Sequence, residues 1–224
     1  TVYGCTDHIA LNYNSNATVD DGSCLYLQPN FCDDFESYTN GTFLALNSNI
    51  WTTWSNNPGG NEDVQITDSL SNSSSNSIYF SSTSNPGGPS DIVLPFLSGN
   101  SYTNGIFTFS TFFNVANGGA YFNFQSNIIP GTAWALDVTM DQNGNITFTN
   151  NGGANIFLTS LYPMNVWFEL KIQVDLTANQ WMVYIDNTLT GNFSNTINEL
   201  ASLDIYALTG HQFYVDDVCY SYLP

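Results

Sequence analysis

The residues of this 224-residue chain that could do chemistry are four cysteines and a scatter of carboxylates, with almost no basic groups to answer them. Cys5 and Cys24 lie in a polar N-terminal stretch; Cys32 and Cys219 stand at the two ends of the remainder. Four cysteines allow three pairings. The local sequence favours Cys5–Cys24, which closes a small loop, and Cys32–Cys219, which joins the two ends. Zinc is the competing use, but no Cys-x-x-Cys pair occurs and His8 and His211 lack ligand spacing. Disulfides imply an oxidising, extracytoplasmic setting.

A bond between Cys32 and Cys219 would make the first and last strands of the larger unit neighbours. Side chains alternate along an extended chain, so Cys32, Asp34 and Glu36 would share a face, as would Phe213, Val215, Asp217 and Cys219. Carboxylates gathered without Lys or Arg repel unless a cation sits among them. Calcium, which takes oxygen ligands in irregular geometry, is the expected structural cofactor there, with Asp63 as a third donor. The alternative is a set of solvated acids that discourage sheet-to-sheet pairing. In the N-terminal stretch Asn12, Asn14, Asn16, Asp20 and Asp21 could line a calcium loop, although Asn and Asp are also ordinary turn residues, which is the favoured reading.

Five tryptophans invite a sugar-stacking platform. Trp167 alternates onto the polar face of its strand and Trp181 lies on the adjoining hairpin arm, so these two are the candidate ligand-binding residues. Tyr121, Phe122 and Tyr162 are weaker ones, and Trp134, inside an apolar strand, is assigned to the core. Catalysis finds little support. A glycosidase needs two nearby carboxylates; the internal candidates are Asp137 and Asp141, and neither histidine sits in a nucleophile motif. No catalytic residue is assigned.

The chain carries one Lys or Arg, Lys171, against 19 acids, for a net charge of −18. Such a chain cannot track phosphates, so nucleic acid is excluded as a partner and anionic membrane surfaces are disfavoured. No apolar span is long enough to cross a membrane. Charged residues make up only 9% of the chain, so Asn, Ser, Thr and Gly must clothe the surface. The absence of a leader before Thr1 is expected of a mature form or an excerpt of a larger protein.

The elements that must position these groups are strands. Residues 165–176 alternate cleanly, with Val166, Phe168, Leu170, Ile172, Val174 and Leu176 on one face. Residues 177–179 then turn the chain into 180–185, a hairpin. Further strands are expected at 64–67, 77–81, 92–96, 106–115, 120–124, 133–139, 145–149, 154–159, 202–207 and 212–222. Asn-Pro-Gly-Gly, Asn-Gly-Gly and Asp-Gln-Asn-Gly turns separate several of them. No helical period is sustained. More than ten short-turned strands predict an all-β, two-sheet antiparallel sandwich or jelly roll, spanning 28–224, with a small disulfide-stapled appendage at 1–27.

Two resemblances sharpen this. Gly4-Cys5-Thr6-Asp7, Ala10 to Tyr13 and Asp20-Asp21-Gly22-Ser23-Cys24 resemble a short cysteine repeat of large secreted Bacteroidetes proteins. Asp33-Asp34-Phe35-Glu36, the Trp51/Trp54 pair, Trp134, Val166-Trp167-Phe168 and Phe213 to Val218 together resemble concanavalin A-like, laminin-G-like jelly rolls of exported Bacteroidetes proteins. These are often cargo of type 9 secretion. The second resemblance implies a structural calcium held by Glu36 with Asp216 or Asp217. Asp68-Ser69-Leu70 matches the short O-glycosylation pattern of the same bacteria, which makes Ser69 a candidate glycosylation site. Asn16, Asn40, Asn72, Asn145 and Asn192 sit in N-glycosylation sequons that matter only in a eukaryote.

The expectation is therefore an extracellular or cell-surface binding or adhesion module without catalysis, its partner a glycan or a cell-surface protein. The rival expectations are a structural component of a larger surface assembly and an accessory domain of a larger secreted enzyme.

Overall fold

A computed structural model describes residues 1–6, 10, 13–24, 31–96, 100–150 and 152–224. In chain order the strands are β1 (Tyr3–Gly4), β2 (Val19–Asp20), β3 (Phe31–Asp33), β4 (Thr52–Thr53), β5 (Ile66–Thr67), β6 (Ser77–Ser81), β7 (Gly87–Pro95), β8 (Ile106–Asn117) and β9 (Gly119–Gln125). They continue as β10 (Trp134–Asp141), β11 (Asn145–Asn150), β12 (Asn155–Leu161), β13 (Phe168–Asp175), β14 (Gln180–Ile185), β15 (Thr188–Phe193), β16 (Ser202–Leu208) and β17 (Gln212–Leu223). A four-residue helix, α1 (Leu44–Asn47), precedes β4.

Two antiparallel sheets form the sandwich. One has seven strands in the order β12-β11-β10-β9-β16-β7-β4. The other runs β15-β14-β13-β8-β17-β6-β5, and β3 adds to β17 as its eighth strand. Phe107, Phe109, Phe113, Phe168 and Phe213 from the eight-stranded sheet meet Phe122, Phe124 and Phe148 from the other, all fully buried. Rings as large as these bury 150–250 Å² each, and they supply the apolar area the sandwich needs. The period-2 pattern of β13 holds: Phe168, Leu170, Ile172 and Val174 point inward. Val166, assigned to the same face, is 51% exposed, because Asn165 takes a left-handed conformation and the strand begins only at Phe168.

Cys32 lies directly opposite Cys219 on β3 and β17, and the two are bonded. Cys5–Cys24 staples the small N-terminal sheet in which β1 pairs β2 in parallel. In that unit Asn14, Asp20 and Asp21 each accept a backbone N–H two residues on, from Asn16, Gly22 and Ser23, which is Asx-turn geometry rather than a gathered ligand set. Asn12 and His8 lie outside the described residues.

The face assignment at β17 needs correcting. Phe213 and Val215 point inward, but the pairing with β8 slips between Asp216 and Cys219, and Asp217 is left-handed at φ 51°. This β-bulge inserts a residue and flips the side-chain phase. Val218 and Tyr220 therefore point inward, and Cys219 stands on the other face from Phe213. Nor do Asp34 and Glu36 continue the face of Cys32, because β3 ends at Asp33 and Phe35 has φ 58°.

Candidate functional site

The acids expected to hold calcium clasp a loop instead. Glu36 Oε1 accepts the N–H groups of Ser75 and Asn76 at 2.8 and 2.7 Å. Asp216 Oδ2 accepts those of Asn72 and Ser73, and its Oδ1 takes the N–H of Asp217. Asp217 receives Asn72 Nδ2 and Ser73 Oγ, both at 2.8 Å. These donors offset the negative charge that was expected to need a cation. Asp63 is buried and takes four backbone N–H groups, from Ala45 and Leu46 of α1, Gly59 and Val64. Asp34, exposed, accepts the N–H of Glu36. No three His, Cys, Asp or Glu side chains among the described residues converge as a metal site, and the oxygens named here already receive N–H and hydroxyl donors.

Of the tryptophans, Trp181 is corrected outright. It pairs with Val174 across the hairpin, points the same way, and is fully buried against Phe193, its Nε1 donating to Asn198 Oδ1. Trp167 is partly buried beside the eight-stranded sheet, edge-on to Tyr214, and its buried Nε1 has no acceptor. Phe122 is core, and Tyr162 is buried with its hydroxyl on the carbonyl of Asp141. Ser69 is exposed and its hydroxyl accepts a bond from Thr67 Oγ1.

The residues that do come together lie on the outer face of the seven-stranded sheet. Asp137 of β10, Asn123 of β9 and Asp204 of β16 pair across neighbouring strands and form one row. Asn123 Nδ2 donates to Asp204 Oδ2 at 2.6 Å, Gln125 Nε2 donates to Asn123 Oδ1, and Tyr121 donates its hydroxyl to Asp137 Oδ1 at 2.6 Å. Asn123, Gln125, Ser202 and Asp204 are at most 3% exposed although they face away from the core. The segment 126–133 folds back over Gln125, and Gly131 donates its N–H to Gln125 Oε1. Gly131 has φ 79°, and a Cβ there would stand 2.9 Å from the Trp54 ring, so only glycine suits both the turn and the contact. Trp54 in turn stacks on Trp134, with ring centroids 6.2 Å apart.

Beside this covered row a cleft of about 760 Å³ stays open, lined by Tyr121, Trp134, Asp137, Asn150, Asn155 and Ile197 among others. Trp134 is partly exposed here rather than in the core. The β9–β10 pairing slips between Trp134 and Leu136, so Ala135 and Leu136 both turn inward and Trp134 is released to the outer face. Asn150, buried, is fixed by donating to Asn195 Oδ1 and Thr196 Oγ1 and by accepting Asn155 Nδ2. Burial raises the pKa of Asp137, and the Tyr121 hydroxyl opposes that shift. Burial and the Asp137 charge push the Tyr121 phenol well up, so it stays a donor.

Behind the cleft Asp91 of β7 neighbours Asp204, with Glu62 near both. Burial, then the charge of Asp204, pushes Asp91 up; burial likewise raises Asp204. Asp141, the other half of the suggested catalytic pair, is bound into the β10–β11 turn by the N–H groups of Asn143 and Asn145 and by Asn145 Nδ2. It does not face Asp137 as a partner.

No family model matches the chain, and no curated protein matches it in sequence. Among solved structures it is similar to the globular domain of T. cruzi calreticulin, with TM-score 0.57 and 8% identity over 88% of this chain and 89% of that one. The Emp47p carbohydrate recognition domain gives 0.50 and 17% over 80% and 92%. An alginate lyase from Corynebacterium sp. gives 0.50 and 14% over 66% and 77%. At these identities the likeness is one of fold: this chain is a jelly-roll β-sandwich.

Proposed function

We propose that the chain is a non-catalytic glycan-binding module that uses the cleft between Trp134 and Tyr121. The observation that carries this reading is a partly exposed indole set beside rigidly held hydrogen-bonding groups. The apolar face of a pyranose can stack on Trp134, while its hydroxyls meet Asp137 and Asn155. Asp137 is held by Tyr121 and Asn155 by Asn150, so little side-chain freedom is lost on binding. One neighbour of the same fold is a carbohydrate recognition domain, which supports the reading without supplying it. Asp141, the expected partner of Asp137 in a catalytic pair, is tied into its turn, which favours binding over cleavage. The two disulfides suit an extracellular or cell-surface site, and export as type 9 cargo belongs to the same proposal.

A glycan array with and without calcium, run on the wild type and on Trp134→Ala, tests the reading. Specific hits that vanish in the variant are expected. Hits that survive it would move the site elsewhere.

One observation favours a second reading, a component of a surface assembly. β12 is an edge strand of its sheet, and its Ile156 and Leu161 are 67% and 69% exposed. Apolar edge strands pair with other strands. Light scattering across concentration tests this: self-association that Ile156→Lys abolishes would support assembly through β12.

A further inference from the structure

We infer that the ligand of this cleft is an electrically neutral glycan, and that uronate and sulfated polysaccharides are excluded by charge. The inference rests on the glycan-binding reading and narrows it.

An anionic sugar in a protein cleft needs a counter-charge, and the chain has one Lys and no Arg with which to supply it. That residue, Lys171, is on β13 of the other sheet. Its Nζ donates to Asn187 Oδ1 at 2.8 Å and lies 4.9 Å from the centre of the Tyr184 ring. His211 is buried, and its pKa is lowered by that burial, so it is neutral at physiological pH. The cleft therefore holds no cation among the described residues. It does hold the Asp137 carboxylate, with Asp204 and Asp91 farther along the same sheet.

The hydrogen bonding around Asp137 also disfavours an anion there. Tyr121, the one phenol of the lining, spends its proton on Asp137. Asn150 spends its amide N–H groups on Asn195 and Thr196, and Asn155 donates to Asn150. At Asp137 and Asn155 the cleft offers two acceptors, the second Asp137 oxygen and the Asn155 carbonyl oxygen, and the Thr196 hydroxyl, which accepts from Asn150, adds a neutral donor beside them. Acceptors recognise hydroxyl protons, which a neutral hexose presents on every side. A carboxylate or sulfate brings only acceptors of its own and would face an unscreened like charge. The same deficit bears on chemistry. Eliminative cleavage of a uronate is assisted by neutralising its carboxylate before the neighbouring C–H loses a proton, and no cationic side chain lines this cleft among the described residues.

The test is a binding comparison by isothermal titration or affinity electrophoresis. Galactomannan and mixed-linkage β-glucan are the neutral probes; alginate and polygalacturonate are the anionic ones. The proteins are wild type, Trp134→Ala and Asp137→Asn, each checked by thermal melting, and the anionic arm is repeated with millimolar calcium. Expected is binding to at least one neutral polymer, lost in Trp134→Ala and weakened about tenfold in Asp137→Asn, the worth of one hydrogen bond to a charged acceptor. Both anionic polymers should bind at least tenfold more weakly. If the anionic polymers bind as tightly as the neutral ones and Trp134→Ala removes both, the site stands and the charge inference falls. Anionic binding only when calcium is present overturns the inference in the same way. If no polymer of either class binds, or if binding ignores Trp134, the glycan-binding reading itself falls and takes the inference with it.

Discussion

Asp216 accepts the backbone N–H of Asn72 at 2.7 Å across 144 residues of sequence, from a carboxyl that is fully buried. The β-bulge makes this reach possible. An unbulged β17 would alternate Asp216 and Asp217 to opposite faces, whereas the left-handed Asp217 lets both meet residues 72 and 73. Glu36 holds the other end of the same loop at Ser75 and Asn76. Three acids thus anchor one irregular segment to the closing strand and to the residues just after β3.

The anchor has a measurable cost of removal. Asp216→Ala leaves the N–H groups of Asn72, Ser73 and Asp217 without their acceptor. Partial rehydration should limit the loss to about 2–4 kcal/mol. Chemical denaturation should show a lower midpoint with an unchanged slope, and amide exchange at residues 72 and 73 should accelerate. A variant as stable as the wild type would mean that the loop is held by other contacts.

Calcium at Glu36 and Asp217 is decided by one titration. An ion there would compete for oxygens that already receive N–H and hydroxyl donors, so the expected result is coincident melting in excess chelator and in millimolar calcium. Tight binding at a hundredfold excess of ion would instead add about 2.7 kcal/mol, or roughly 5–10 °C for a chain of this size. A calcium-dependent rise of that size, abolished by Asp217→Asn, would restore the metal site.

How far the sequence could be read depends on where the chain keeps its period. β6 and β14 fall where alternation and turn residues put them, because each runs unbroken between turns. β15 is not among the expected strands, although Asp186-Asn187 marks it: both residues are left-handed, which is what a two-residue hairpin turn demands. Trp134 and Asp217 both lie at bulges. A strict period of two puts Asp217 on the face of Phe213 and errs at the bulge, while apolar neighbours alone assign Trp134 to the core and cannot show that its register slips. Trp181 turns inward because the hairpin turn takes four residues, 176–179, rather than the expected three at 177–179: Asp175 then pairs with Gln180, and Trp181 shares the inward face of Val174. The row of Asp137, Asn123 and Asp204 was out of reach, because β9, β10 and β16 become neighbours only through the topology.

Buried acids give the fold a definite pH response. Asp216 is pushed up to about 6, first by burial and against the N–H donors of Ser73 and Asn72. Asp91 and Asp204 are also raised, by burial first. A carboxyl with a folded pKa above its unfolded value binds more protons when folded. Its favourable contribution is complete below the unfolded value, 3.8 for Asp, and is lost as pH rises through the folded one. The net charge of −18 acts in the same sense. The melting temperature should therefore rise as pH is lowered from about 8 to about 5. Asp216→Asn should flatten the part of that rise between 3.8 and about 6. A melting temperature that is flat or falls over this range would show that the buried carboxyls are ionised at little cost.

Trp134 and Trp181 should separate binding from stability. Trp181 is fully enclosed, stacked on Phe193 and tilted against Phe124, with its Nε1 satisfied by Asn198. Trp181→Ala opens a cavity between the sheets and orphans the Asn198 carbonyl oxygen, at a cost of about 3–5 kcal/mol, while Trp181→Phe retains most of the packing and should cost less. Trp134 is partly exposed and stacks on Trp54 at the cleft, so Trp134→Ala removes ring area without opening the core. Its cost should be about 1 kcal/mol or less beyond the lost ring–ring contact. The expected pattern is crossed: Trp181→Phe binds polysaccharide like the wild type but melts earlier, and Trp134→Ala melts close to the wild type but does not bind. If Trp181→Phe lost binding at a temperature where it is fully folded, the ligand would be reading the interior hairpin rather than the outer face, and the cleft beside Asp137 would not be the site.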